Sequence, residues 1–98
     1  MYTKIHKSYR KVVAICDSEL LGKKFEEGNM QLDVRENFYN GEEIDEGKAG
    51  DILRDLASDD ATFNIVGEKA IKAAIEAGLI STESIIRVRG IPFALTLL

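Results

Sequence analysis

Strand-forming sequence at both ends of the chain, with helix-forming sequence between, is the feature that most constrains the fold. Arg10 to Cys16 carries β-branched Val12, Val13 and Ile15, residues that fit a pleated, half-buried surface. At the other end Ile85–Arg89 and Ile91–Leu97 form two strand-like runs around Gly90, and Pro92 argues for a sheet edge or a strand start. Between them Ala49, Ile52, Leu53 and Leu56 recur at i, i+3, i+4 and i+7, which predicts an amphipathic helix over 45–57. A second helix is predicted from Asn64, a cap type, to Gly78, with Val66, Ala70, Ile71, Ala74, Ile75 and Ala77 as its apolar face. This order predicts one compact α+β domain over 1–98, with a mostly antiparallel sheet and two main helices packed on one face.

The remaining segments are shorter. Tyr2 to Lys7 alternates weakly, so a tight turn at Ser8-Tyr9 would pair it with the 10–16 strand as a hairpin. After Asp17, the stretch Ser18–Gly22 predicts a single helical turn, and Lys23–Gly28 predicts a loop. Met30, Leu32 and Val34 alternate with Gln31, Asp33 and Arg35, which predicts a strand running towards the Asn40-Gly41 turn. Ser58-Asp59-Asp60 ends the first helix.

Several classes of protein fall away at once. With Cys16 alone the chain forms no internal disulfide, which points to a reducing, cytoplasmic setting. One cysteine and one histidine, His6, do not make a four-ligand zinc site. No apolar run approaches the roughly 18–20 residues of a membrane span, and Val12–Cys16 behind the basic N-terminus is too short for a signal peptide. Neither a phosphate-binding glycine loop nor a dinucleotide fingerprint is present, so no cofactor is expected.

The net charge of −4 hides a segregation. Residues 1–25 sum to +4, 26–60 to −9 and 61–98 to +1. Lys4, Lys7, Arg10 and Lys11 cluster on the first hairpin with Tyr2 and Tyr9 among them, while Arg87 and Arg89 share one face of a late strand. Were that strand beside the hairpin, six cations and two aromatics would line one face, a chemistry suited to RNA backbone and base stacking. The acidic 26–60 segment supplies the alternative, an adaptor that docks a basic protein partner. The long apolar last strand leaves both a monomer and an edge-to-edge homodimer open.

Catalytic constellations are sparse. Gly67-Glu68-Lys69, with Asn64 before them, offers free N–H groups at a helix start and hence a possible anion site. Cys16 and His6 lie on adjoining strands and would form a nucleophilic dyad only if they met. The acids Glu42, Glu43, Asp45 and Glu46 lack the alternate-position oxygens and closing Glu of a calcium loop. The expectation is therefore a non-enzymatic interaction module, with an enzyme acting on a small anionic substrate at the Asn64–Lys69 helix start as a further alternative.

Certain segments are recognisable together: Asn64-Ile65-Val66-Gly67-Glu68-Lys69-Ala70, then Ala74-Ile75-Glu76-Ala77-Gly78-Leu79-Ile80, and the ending Gly90-Ile91-Pro92-Phe93-Ala94. With Val13–Asp17, Glu19–Lys23 and Phe38–Glu42, nearly the whole chain resembles a small archaeal family of uncharacterised proteins, a domain of unknown function about 100 residues long. The resemblance implies an archaeal cytoplasmic protein with one compact α+β domain. It carries no activity, and it frames the RNA expectation as contact with archaeal RNA or the translation machinery.

Overall fold

The most apolar run of the chain becomes its central strand. In a computed structural model describing residues 1–7, 9–57 and 60–97, Lys11–Cys16 (β2) buries Val13, Ala14, Ile15 and Cys16 completely. A strand without polar alternation needs cover on both faces and a partner on both edges. Tyr2–Lys7 (β1) supplies one edge as an antiparallel hairpin, from Tyr2↔Cys16 to Lys7↔Lys11. The other edge is taken by Thr62–Val66 (β6), parallel, from Val12↔Thr62 to Cys16↔Val66. The expected turn residue Ser8 and the helix stop at Ser58-Asp59 lie outside the described residues.

The sheet is completed by Glu42–Glu43 (β5) outside β1, and by Ile91–Leu97 (β8) and Ile86–Val88 (β7) beyond β6. Its order is β5-β1-β2-β6-β8-β7, with β2–β6 the one parallel pair. A separate hairpin joins Lys24–Glu27 (β3) to Met30–Asp33 (β4). Three α-helices follow in the chain at Glu36–Tyr39 (α1), Ala49–Leu56 (α2) and Glu68–Glu76 (α3).

Two apolar layers hold the sheet. On one face Val13, Ile15, Phe63, Ile65 and Ala94 meet Leu53 of α2 and Ala70, Ile71 and Ala74 of α3. On the other, Ala14, Cys16 and Val66 meet Leu20, Leu32, Val34, Tyr39 and Val88. Both main helices thus pack on one face of a mostly antiparallel sheet, as the sequence predicts, and the β3–β4 hairpin with α1 covers part of the other.

Three local expectations are corrected. Residues 24–27 form β3 instead of a loop, because Phe25 has an apolar layer to join and Gly28 turns the chain at φ 58°. The alternating strand stops at Asp33, and the chain turns into α1 after buried Val34. The helix expected from Asn64 is a strand up to Val66, and α3 starts at Glu68. In TFNIV the β-branched and aromatic residues alternate between the two apolar layers, so tertiary packing overrides the helical spacing.

Candidate functional site

The start of α3, the expected anion site, is occupied from within. Asp17, just past β2, is 3% exposed. Its Oδ2 accepts the Lys69 N–H at 3.1 Å and its Oδ1 the Ala70 N–H at 2.8 Å. These are first-turn donors that a helix leaves unpaired, and a carboxylate there also meets the positive end of the helix dipole. Gly67 makes the approach possible: at φ 108° it would carry a Cβ only 2.3 Å from the Asp17 carboxyl carbon. Burial raises the Asp17 carboxyl above its ordinary range, and the two helix N–H groups pull it back.

Asn64 is not part of this arrangement. In β6 it pairs with Ala14 and Leu95, residues on the sheet face opposite α3. Glu68 accepts from Arg87 at 3.0 Å, and Lys69 reaches Glu46 at 3.8 Å. The four residues expected to hold an anion are thus divided between an internal cap, two surface ion pairs and the far side of the sheet.

The six expected cations do not share a face. Along β1 and β2, Lys4 pairs with Ala14 and faces α1, where its Nζ donates to the Asn37 carbonyl at 2.8 Å. Lys7 and Lys11 stand directly opposite each other on the helix-bearing face. Arg87 belongs to β7, four strand steps from β1 and roughly 19 Å away at ~4.8 Å per step. It is engaged by Glu68 and by the Gly90 carbonyl. Arg89 lies in the β7–β8 turn at φ 54°, with its backbone N–H donated to Glu27 at 2.7 Å. The condition for a six-cation face, the late strand beside the hairpin, is not met because β6 and β8 lie between β2 and β7.

What the hairpin retains is a basic tip. Tyr9 is 98% exposed, and Lys7, Arg10 and Lys11 surround it in the chain. Neither Lys7 nor Lys11 has an ion-pair partner among the described residues. Like charges directly opposite on a ladder are mutually destabilising.

The other candidate chemistry closes off. His6 stacks on Phe38 with centroids 4.5 Å apart, and its Nε2 lies 2.8 Å from the Phe38 carbonyl. Cys16 is four ladder positions away, about 13 Å at ~3.3 Å per residue, so the two form no dyad. Burial, with the Asp17 charge adding, pushes the Cys16 thiol up to about 11, which keeps it protonated. A shallow cleft of about 510 Å³ between Asp45–Gly47, α2 and α3 is lined by both signs of charge, and Lys69–Glu46 and Arg54–Asp51 pair across or along it. Among the described residues no three His, Cys, Asp or Glu side chains gather as metal ligands would. No described helix is long and apolar enough to cross a membrane.

Two features escape a reading by motif. Asp17 caps a helix fifty-two residues away, and no local spacing signals such a pairing. The second is a run of exposed apolar side chains, Ile86, Leu95 and Leu97, on the sheet face opposite the helices. Its sequence trace is the apolarity of the last strand, interrupted by Thr96 alone.

Taken together, these features define a small α+β domain: a mixed six-stranded sheet, two helices on one face, a hairpin on the other, and a helix start sealed by the chain's own carboxylate. A family model described as a protein of unknown function (DUF424) matches residues 5–97, and the chain belongs to that family. The chain is also similar to an uncharacterised conserved protein from Methanopyrus kandleri known by its crystal structure. The two share 27% identity and a TM-score of 0.85, over 97% of this chain and 88% of that one. A comparison with curated proteins found no match.

Proposed function

We propose that this protein is a non-enzymatic interaction module that contacts RNA through the tip of its β1–β2 hairpin. The observation that carries the reading is Tyr9, 98% exposed beside Lys7 and Lys11, which oppose each other and have no ion-pair partner among the described residues. An aromatic ring in water next to cations is the combination that stacks a base while neutralising its phosphates. Lys4, Arg10, Arg87 and Arg89 are peripheral in this reading, the two late arginines lying across the sheet. A lone buried thiol suits the cytoplasm, and the archaeal neighbour suits an archaeal RNA or ribonucleoprotein as the partner.

Fluorescence anisotropy with a labelled single-stranded RNA tests it. Binding is expected to weaken with salt, with a log–log slope of about −1.4 for the two phosphates neutralised by Lys7 and Lys11. Lys11→Ala should flatten that slope by about 0.7, and Tyr9→Ala should cost ~1–3 kcal/mol at every salt concentration. No binding at low salt ends the proposal.

A second reading draws on the opposite charge. Glu42 and Glu43 form the outer strand β5, both exposed and without an ion-pair partner among the described residues. They would receive a basic protein segment. Co-purification that survives nuclease treatment distinguishes this adaptor role from RNA binding.

A further inference from the structure

The two edges of the main sheet are finished differently. The β5 edge is two residues long and both are acidic, a usual guard against strand addition. The other edge is only half covered. β7 pairs with β8 at Ile86↔Phe93, Arg87↔Pro92 and Val88↔Ile91 and then ends, leaving Leu95 to Leu97 with no strand outside them among the described residues.

Backbone geometry shows which groups this leaves open. The Pro92 carbonyl accepts the Gly67 N–H at 2.9 Å, so even-numbered residues of β8 turn their polar groups towards β6. In an antiparallel ladder the direction alternates, so Leu95 and Leu97 point their N–H and C=O groups away from β6, along the open edge. Their side chains are 65% and 62% exposed on the face opposite the helices. β8 carries no charged residue, and Pro92, whose missing N–H faces β6, gives the outer edge no protection.

We propose that this edge pairs with the same edge of a second copy, antiparallel about a two-fold axis at Thr96, to form one continuous twelve-stranded sheet. That register sets Leu95 opposite Leu97 of the second copy and Leu97 opposite its Leu95, each pair exchanging two backbone hydrogen bonds. It also gathers four leucines on one face. The edge is complementary to itself: its outward groups are evenly spaced, its side chains are the same on both sides, and no like charges oppose across the axis. A partner chosen by charge would find nothing on β8 to read.

Sedimentation equilibrium of the full chain tests the pairing. The mass is expected to double from 10.9 kDa with rising concentration. Leu97→Pro, which removes a donor pointing away from β6, and Leu95→Lys with Leu97→Lys, which sets cations across the axis, should both return it to the monomer with an unchanged circular dichroism spectrum. The register is read by Thr96→Cys: a non-hydrogen-bonded pair on a two-fold axis has Cα atoms about 4.5 Å apart, within disulfide reach. This variant should cross-link to a covalent dimer on mild oxidation, with buried Cys16 taking no part. A wild-type chain that stays monomeric overturns the proposal, as does a dimer that survives both edge variants or a Thr96→Cys chain that does not cross-link.

Discussion

Asp17 carries a disproportionate share of the architecture for one residue. It ends the central strand, caps α3 through two N–H groups, and sets the distance between sheet and helix by lying against Gly67. Asp17→Ala leaves two first-turn donors without an acceptor and should cost ~1–3 kcal/mol in urea unfolding at neutral pH. The pH dependence has a definite sign. The carboxyl is raised above 3.8 in the folded chain, so its contribution is fully present below that value and declines as pH rises through the folded one. The gap between wild type and Asp17→Ala should therefore be wider near pH 4 than at pH 7, and an equal or narrower gap would contradict the assignment.

Among the elements, β5 depends on a single close approach. A Cβ on Gly41 would lie 2.3 Å from the Thr3 carbonyl oxygen and 2.9 Å from the Lys4 Cα. Both are backbone-bound positions that cannot swing aside. Gly41→Ala should push β5 off β1 and lower stability by ~1–3 kcal/mol, with loss of hydrogen-exchange protection at Glu43 and Ile44 ahead of the β2–β6 centre. Elements whose signal is local were legible in the sequence. The β1–β2 hairpin, the helical turn at Ser18–Leu20, the 49–56 helix and the two closing strands all follow from apolar spacing and turn residues. Those decided by distant contact were not. Thr62–Val66 has helix-compatible spacing, yet it becomes a strand because β2 and β8 offer it two ladders. The anion site failed for a related reason, since an unpaired helix start is visible in sequence but the carboxylate filling it comes from another strand.

At the scale of the whole molecule, charge is sorted by element more than by face. The cations of the hairpin tip and the acids of β5 lie on neighbouring parts of the same sheet, and the late arginines lie beyond two further strands, β6 and β8. Inside, the thiol of Cys16 is sealed between β1, β6 and the second apolar layer, and is held near 11. Its labelling by a thiol reagent at pH 8 should thus require opening of the entire sheet. The rate should follow the global unfolding equilibrium across a urea series, whereas labelling independent of urea would mean that the layer over Cys16 opens by itself.

The parallel pairing of β2 with β6 also imposes an order of events on a nascent chain. Val12 meets Thr62 only after fifty further residues have been made, several seconds of synthesis at ~5–20 residues per second. Through that interval only one of the two ladders of β2 has its partner strand in the chain. Refolding must likewise close this long loop before the hydrogen bonds between β2 and β6 form. The segments between them, 17 to 61, can assemble their own hairpin and helices while the centre waits.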